Sequence, residues 1–203
     1  MDSIKFIYFD IGGVLVDWTR AFTGAANKFN LNSEDIGIVF DQNHDDITKG
    51  LISAKDLWKE CIQKYNLKNA SDFNFLESWV SDYRPIKQAH KFLEKLKPRY
   101  KVGLLSNIYK DMLPLLLETR VIPNIHYDQL VLSCDVGMMK PNLSIYKLSQ
   151  NKANLNAQNI LFVDDREDFL LEPKKMNWHT FLYDPKNPDK STKELTKYLK
   201  ITF

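Results

Sequence analysis

The sequence predicts an α/β fold in which a parallel β-sheet, covered by helices on both faces, is interrupted by an all-helical segment. Apolar strands alternate with helical segments from Arg84 onward, and this alternation is typical of parallel sheets. Residues from about Thr19 to Tyr83 instead show helical periodicity without a convincing strand. We therefore expect a core formed by residues 1–16 and 84–203, and a small helical cap formed by residues 17–83.

The expected strands are short, apolar and rich in β-branched or aromatic residues, and polar residues follow them. They are KFIYF (Lys5–Phe9), VGLL (Val102–Leu105), QLVL (Gln129–Leu132), ILFV (Ile160–Val163) and TFLY (Thr180–Tyr183). Because helical segments separate them, we expect these strands to pair in parallel.

Capping residues place the helices of the core. Pro85 is expected to begin the first helix and Pro98 to end it, because proline suits only the first turn of a helix. Ser191 and Glu194 have the spacing of a capping box and predict the start of the last helix. The other core helices are predicted near Asp111–Glu118, Leu143–Asn151 and Phe169–Met176.

Serines precede the apolar stripes of the helical segment. Ser33 precedes EDIGIVF and Ser53 precedes AKDLWKECI, so each serine is an expected N-cap with acidic residues in the following turn. Ser71 is expected to open a further helix that carries Trp79. These helices predict a small bundle.

Composition excludes several classes of protein. The chain has 203 residues, of which 44% are hydrophobic and 27% charged, as in ordinary globular proteins. A net charge of +2 predicts neither nucleic acid nor a membrane as a partner. No apolar run approaches bilayer length, and we expect a cytoplasmic protein. Cys61 and Cys134 predict neither a disulfide framework nor a zinc site.

Polar side chains follow four of the expected strands. In chain order they are Asp10, then Ser106 and Asn107, then Lys140 in the loop after the third strand, then Asp164 and Asp165. Each has a simpler explanation as a turn cap, a helix N-cap or a surface lysine. However, the carboxyl ends of parallel strands share one edge of the sheet, where ligands bind, so together these residues predict a site.

The chemistry of these residues predicts a metal and a phosphate group. Three carboxylates in a cleft repel one another unless a divalent cation joins them, and an oxygen-only set of ligands suits Mg²⁺. Lys140 and Ser106 would supply a cation and a hydroxyl donor to an anion. Backbone N–H groups around Gly12 and Gly13 can turn toward the same anion because glycine permits a tight turn.

Four motifs occur in order along the chain: FDIGGVL, LLSN, GMMKPNLSIY and FVDDRED. They resemble the motifs of the haloacid dehalogenase-like hydrolase superfamily, a large group of magnesium-dependent phosphatases. Within it, the chain is most similar to the subgroup that contains bacterial glucose-1-phosphate phosphatases and the phosphatase domain of epoxide hydrolases. The resemblance implies a Rossmann-like doubly wound parallel sheet with an inserted helical cap, and a small phosphorylated substrate such as a sugar phosphate.

The resemblance also implies a role for each site residue. Asp10 would be the nucleophile that forms an aspartyl-phosphate. Asp10, the main-chain carbonyl of Gly12 and Asp165 would hold Mg²⁺, and Asp164 would reach the metal through water or hold Lys140. For the phosphate, the implied ligands are Gly12, Gly13, Ser106, Asn107 and Lys140, of which Lys140 would neutralise developing charge.

The sequence departs from the family at Gly12. Most of the family's phosphatases have a second aspartate here, which protonates the leaving oxygen, and a missing acid–base group costs about 100- to 10,000-fold in rate. Another group could supply the proton, or the enzyme could be slow, favour good leaving groups such as sugar 1-phosphates or acyl phosphates, or no longer catalyse. The candidate replacements are Asp17, His44, Asp45 and Asp46.

Two other functions compete with a phosphatase. Haloacid dehalogenases also lack the second aspartate, but they need no metal and do not keep the acidic pair that Asp164 and Asp165 form here. A phosphometabolite-binding or regulatory protein without turnover is favoured by Gly12 alone. Because Asp10, Lys140 and Asp165 are all present, we expect the enzyme.

Overall fold

The computed structural model describes residues 4–201, so the ends of the predicted core, residues 1–3 and 202–203, lie outside the described residues. The strands are β1 Phe6–Phe9, β2 Val16–Asp17, β3 Arg84–Pro85, β4 Lys101–Ser106, β5 Gln129–Leu132, β6 Ile160–Asp164 and β7 His179–Leu182. The α-helices are α1 Thr23–Phe29, α2 Ser33–Gln42, α3 His44–Thr48, α4 Ala54–Tyr65, α5 Phe75–Asp82, α6 Lys87–Leu96, α7 Met112–Glu118, α8 Ser133–Val136, α9 Leu143–Ala153, α10 Glu167–Lys175 and α11 Pro188–Tyr198. Within residues 4–201, no helix has both the length and the hydropathy that crossing a bilayer requires.

Five strands form one parallel sheet in the order β5-β4-β1-β6-β7. The central strand β1 pairs with β4 on one side and with β6 on the other, and Phe9 lies opposite both Leu104 and Val163. Helices flank this sheet, and the predicted α/β, Rossmann-like fold is therefore confirmed.

Both faces of the central strand are buried. Ile7 and Phe9 point into one apolar cluster, whereas Phe6 and Tyr8 point into a second cluster on the opposite face. Burial of each such side chain stabilises the fold by about 1.5–3 kcal/mol. The buried Tyr8 hydroxyl donates a hydrogen bond of 2.9 Å to the carbonyl of Ser149. A strand that is apolar on both faces is thus held rigidly in the middle of the sheet.

Helices α1 to α5 lie between two short strands that pair with each other. Val16 and Asp17 of β2 pair in antiparallel fashion with Pro85 and Arg84 of β3, which brings the two ends of the helical segment together. Within it, aromatic rings stack; the rings of Trp58 and Phe75 lie 4.9 Å apart. Residues 19–83 contain no strand, as predicted. The division into a core and a cap stays a prediction.

Two of the three predicted serine caps are replaced by asparagines. Ser53 caps α4 as predicted, since its Oγ accepts a hydrogen bond of 3.2 Å from the Asp56 N–H. In contrast, α2 already includes Ser33 and follows the N-cap Asn32. The prediction for Ser71 is wrong because α5 begins only at Phe75. Its N-cap is Asn74, whose Oδ1 accepts a hydrogen bond from the Glu77 N–H.

Two predicted helix starts in the core are also wrong. Pro85 pairs with Val16 in the β2–β3 ribbon, and α6 therefore begins only at Lys87. Ser191 lies inside α11, which begins at Pro188. Its hydroxyl instead accepts a hydrogen bond of 2.8 Å from the Asp184 N–H and so fixes the loop before the helix.

The buried Asp82 at the end of α5 ties this helix to α1. Its two carboxylate oxygens accept from the N–H of Gly24, at 3.1 and 2.9 Å, and this N–H has no partner within its own helix. We expect Asp82→Ala to lower the free energy of unfolding by about 1.5–3 kcal/mol, the usual contribution of a hydrogen bond to a charged group. The exposed Asp72→Ala is the control in urea denaturation, and equal effects of the two variants would contradict this role.

Candidate active site

The pairing of β1 with β6 brings three aspartates together. The N–H of Asp10 donates a hydrogen bond of 2.9 Å to the carbonyl of Val163, which extends the ladder beyond the end of β1. Asp164 is the last residue of β6, and Asp165 follows it in the same loop. One carboxylate oxygen from each of these three aspartates lies within 4.8 Å of the others. The predicted meeting of these strand ends is thus present in the structure.

Lys140 lies among these carboxylates and is fully buried. Its Nζ is 3.0 Å from Asp10 Oδ1 and 2.5 Å from Asp164 Oδ2. The Lys140 Nζ also lies over the rings of Phe162 and Phe169, at 5.2 and 4.8 Å from the ring centroids. A buried ammonium of this kind requires its carboxylate partners, because each unpaired buried charge costs several kcal/mol.

Asn107 fixes the main chain at Lys140. Its Oδ1 accepts a hydrogen bond of 2.8 Å from the Lys140 N–H, and its Nδ2 donates one of 3.0 Å to the Lys140 carbonyl. The predicted phosphate ligand Asn107 therefore acts here on the backbone that positions the lysine. Ser106, the last residue of β4, is buried, and its hydroxyl makes only a 3.4 Å contact with the Asn107 carbonyl.

The charges of the site are unbalanced. Asp10, Asp164 and Asp165 contribute three carboxylates, whereas Lys140 is the cation paired with them within the described residues. In addition, the buried Oδ1 of Asp10 has no hydrogen-bond donor of good geometry. Oxygen ligands with excess negative charge fit Mg²⁺, which prefers carboxylate, carbonyl and water oxygens.

The pKa values of these groups reflect their burial and mutual repulsion. Burial, and then the charge of Asp10, raise the pKa of Asp165 to about 6. Burial also raises the pKa of Asp164 to about 7, although Lys140 opposes this shift. Burial would lower the pKa of the Lys140 ammonium, but Asp10 and Asp164 more than offset this effect and raise it. The site therefore favours an added cation.

The two glycines after Asp10 have different surroundings. Gly13 has a φ of +71°, and a Cβ there would lie 2.0 Å from Asp165 Oδ2, so only glycine lets Asp165 approach the loop. Its N–H donates to the Val16 carbonyl at 2.8 Å, which is at odds with the predicted phosphate contact of Gly13. A Cβ on Gly12 would make only ordinary contact with the Trp18 indole, at 3.4 Å from Cδ1.

None of the predicted replacements for the missing acid pairs with Asp10 or Lys140 within residues 4–201. Asp17 accepts hydrogen bonds from the Thr19 hydroxyl and N–H, and they lower the pKa of its carboxyl, so Asp17 is held ionised. The Lys49 ammonium similarly lowers the pKa of the exposed Asp45. His44 lies 3.6 Å from the carboxylate of Asp45, and Asp46 is exposed on α3.

Two aromatic residues near the site were not predicted. Trp18 lies against Gly12, as described above. Tyr109, two residues after Asn107, stacks on Trp79 of α5 with ring centroids 4.7 Å apart. Burial, and then the negative charges of Asp10 and Asp41, raise its pKa above the ordinary value. The sequence shows that both aromatic residues lie within a few positions of a motif. It does not show where either ring points.

A parallel α/β sheet whose central strand ends at an aspartate, paired with a buried lysine, is the arrangement expected of a haloacid dehalogenase-like hydrolase. Residues 7–182 match the family model described as haloacid dehalogenase-like hydrolase. The chain therefore belongs to this family, and the predicted family is confirmed.

The chain is similar in sequence to one phosphatase and in fold to several solved structures. The chain is 26% identical over 160 residues to glyceraldehyde 3-phosphate phosphatase of Methanocaldococcus jannaschii; the match covers 76% of this chain but only 64% of that protein. A HAD family enzyme of Bacteroides thetaiotaomicron, solved with magnesium and inorganic phosphate, has a TM-score of 0.72 at 20% identity over 89% of this chain and 94% of that one. L-2-haloacid dehalogenase of Xanthobacter autotrophicus has a TM-score of 0.67 at 19% identity, over 89% and 77% of the chains. These two structures show a shared fold.

Gly13 and Gly12 form a matched pair for mutation. We expect Gly13→Ala to lower the free energy of unfolding by about 1–3 kcal/mol, because a side chain there combines a left-handed backbone with a clash against Asp165. Gly12→Ala meets neither obstacle and is expected to change it by less than about 0.5 kcal/mol. Urea denaturation measures the free energy of unfolding of both variants. A loss in Gly12→Ala as large as in Gly13→Ala would contradict the special requirement for glycine at position 13.

Lys140 should dominate the stability of the metal-free protein. We expect Lys140→Met to lower the free energy of unfolding by about 3–5 kcal/mol at neutral pH, because buried carboxylates lose their counter-charge. The control is Lys59→Met, which breaks an exposed pair with Asp56 and should cost no more than about 1 kcal/mol. Denaturation is followed in the presence of a chelator; similar losses in both variants would refute the buried ion cluster.

Proposed function

We propose that this chain is a magnesium-dependent phosphatase that hydrolyses a small phosphorylated metabolite through an aspartyl-phosphate on Asp10. The observation that carries the proposal is the fully buried Lys140 between Asp10 and Asp164, with Asp165 beside them. This cluster places carboxylates and a cation at one point of the sheet edge, with more carboxylates than cations. A nucleophile, a counter-charge for phosphate and a metal site account for all of these features.

The ligand set fits magnesium. The carboxylates of Asp10 and Asp165 and the main-chain carbonyl of Gly12 would hold the ion, while Asp164 holds Lys140 or reaches the ion through water. Support comes from the buried Oδ1 of Asp10, which pairs with Lys140 at 3.0 Å but has no hydrogen bond of good geometry, and from the three carboxylate oxygens within 4.8 Å of one another. When bound, Mg²⁺ would neutralise phosphoryl oxygens and make phosphorus more electrophilic.

The residues of the chain perform the proposed transfer in two steps. A carboxylate oxygen of Asp10 attacks phosphorus, and the bond to the leaving oxygen breaks with its electron pair remaining on that oxygen. Water then attacks phosphorus, the bond to Asp10 breaks, and inorganic phosphate leaves while the carboxylate is restored. Lys140 stabilises charge on the transferring group, and the Ser106 hydroxyl donates to a phosphoryl oxygen. Asn107 contributes by positioning Lys140.

We place the helical segment, residues 17–83, over this site as a cap that selects the substrate. Three contacts support the placement. Tyr109 of the core stacks on Trp79. Gly50 passes so close to Cys134 that a Cβ on it would lie 2.4 Å from the carbonyl oxygen of Cys134. Val16, the residue immediately before the segment, forms a β-bridge with Gly12 in the nucleophile loop.

Two alternatives are weaker. A dehalogenase shares the fold, but the acidic pair Asp164 and Asp165 has no use in a metal-free dehalogenation. A phosphometabolite-binding protein without turnover is favoured by Gly12, which offers no acid. The relative from Methanocaldococcus jannaschii is a phosphatase by name. Together with the retained pair of Asp10 and Lys140, this likeness favours hydrolysis of a phosphate ester.

The first test is hydrolysis of p-nitrophenyl phosphate. We expect activity that requires Mg²⁺, is abolished by a chelator and falls by about 1,000-fold or more in Asp10→Asn, because no other group replaces the nucleophile. The exposed Asp72→Asn is the matched control and should retain activity. Undiminished turnover in chelator or in Asp10→Asn would refute the mechanism, and chloride release from L-2-chloropropionate would instead support a dehalogenase.

The second test restores the missing acid. Gly12 has an ordinary φ, and a Cβ there meets only the Trp18 indole, so Gly12→Asp should fold. We expect the variant to keep its activity on aryl phosphates and to raise kcat on alkyl phosphates by up to about 100-fold, the lower end of general acid catalysis. Gly12→Asn is the control, since it has the same shape without a carboxyl group. Complete loss of activity in both variants would mean that the glycine is required for another reason.

A further inference from the structure

We propose that Trp18 is the surface on which the leaving group of the substrate stacks, and that this site takes phosphates whose leaving group carries a ring and departs as a stable anion. Aryl phosphates and anomeric sugar phosphates belong to this class. The inference rests on the proposed function and names the substrate class of the same site. It follows from the position, the exposure and the chemistry of one indole.

The position of Trp18 is next to the nucleophile loop. An added Cβ on Gly12, two residues after Asp10, would lie 3.4 Å from Cδ1 and 3.6 Å from Nε1 of this indole. The next residue, Gly13, packs against Asp165 instead. Gly13 therefore faces Asp165, and Gly12 faces Trp18. A ligand bound to Asp10 on the Gly12 side would meet the indole.

The backbone around Trp18 is fixed. Val16 pairs with Pro85 in the β2–β3 ribbon, and Asp17 accepts hydrogen bonds from Thr19 at 2.9 and 2.7 Å. The Trp18 carbonyl itself accepts from the Ala21 N–H at 2.9 Å. These contacts fix the backbone on both sides of Trp18 and so limit the positions of its exposed ring, which favours a preformed stacking surface.

The exposure of Trp18 differs from that of the other tryptophans. Trp18 is 54% exposed, whereas Trp58, Trp79 and Trp178 are at most 4% exposed. No hydrogen-bond partner for its Nε1 occurs among residues 4–201. A single exposed apolar residue is unremarkable by itself, but this one lies against Gly12, two residues after the proposed nucleophile. It offers an apolar face and a free N–H donor to a bound ring.

Among residues 4–201, no acidic side chain lies within 4 Å of the Cβ position of Gly12. Gly12 has no side chain, an indole N–H donates hydrogen bonds without releasing its proton, and the carboxylate of Asp17 is occupied by Thr19. When the bond between phosphorus and the leaving oxygen breaks, the electron pair stays on that oxygen, which takes a proton from solvent water afterwards. Such a site favours leaving groups whose parent hydroxyl is acidic, and the indole selects those that carry a ring.

Binding tests the inference without turnover. In Asp10→Asn with Mg²⁺, calorimetry compares the Kd of phenyl phosphate with that of methyl phosphate. We expect phenyl phosphate to bind about 3- to 10-fold more tightly, the usual contribution of an aromatic pair. Adding Trp18→Ala should remove this advantage, whereas Trp18→Phe should keep most of it. Leu171→Ala, which changes another exposed apolar residue on α10, is the matched control and should keep the advantage in full.

Kinetics separates stacking from a structural effect. In the otherwise unchanged protein, Trp18→Ala should raise KM for p-nitrophenyl phosphate by about 3- to 10-fold and leave kcat nearly constant. Acetyl phosphate has a good leaving group without a ring, and its KM should not change. An equal loss on both substrates would overturn the inference, because Trp18 would then act through the shape of the loop.

The outcomes also distinguish this inference from the function on which it rests. If neither phosphate ester binds to Asp10→Asn with Mg²⁺ and the unchanged protein hydrolyses none, the proposed function and the inference both fail. If methyl phosphate binds but phenyl phosphate has no advantage, or an advantage that persists in Trp18→Ala, only the inference fails. A phenyl advantage that depends on Trp18 supports both.

Discussion

The buried ammonium of Lys140 is the feature on which the rest of the site depends. It lies 3.0 Å from Asp10 and 2.5 Å from Asp164, away from solvent, and it is tolerated only because both carboxylates stay in place. Their placement depends in turn on the register of β1 with β6, where Phe9 lies opposite Val163. The packing that stabilises the middle of the sheet therefore also sets the geometry of the charges.

The same ion cluster links stability to the proposed chemistry. A carboxylate beside a buried ammonium satisfies both groups, but this cluster brings three carboxyl groups to one ammonium, and the pKa values of Asp164 and Asp165 are raised as a result of burial and mutual repulsion. Neither Asn107 nor Gly13 carries a charge of the cluster, but Asn107 holds the main chain of Lys140 through two hydrogen bonds, and Gly13 leaves room for the Asp165 carboxylate.

The departure from the family at Gly12 has to be considered together with the side chain that lies against this glycine. The glycine has no special backbone conformation, so the chain does not need it for folding. The side chain that lies against it is the half-exposed Trp18, which can stack and donate a hydrogen bond but cannot act as an acid. Under the proposed function, the missing aspartate would change the kind of leaving group and would not abolish the site.

The sequence by itself determined the α/β class, the five strands of the parallel sheet and the polar residues at their carboxyl ends, because strand periodicity and short motifs are local properties. It did not determine which of several nearby polar residues caps a helix; Asn32 and Asn74 were preferred to Ser33 and Ser71 once the chain packed. Only the tertiary structure decided that the Asn107 side chain holds Lys140, that the Gly13 N–H bonds to Val16, and that Trp18 lies against Gly12. The Asn107 contact joins neighbouring strands across 33 residues of chain, and the two loop contacts depend on where the β2–β3 ribbon places Val16 and Trp18, so hydrophobic periodicity does not predict them.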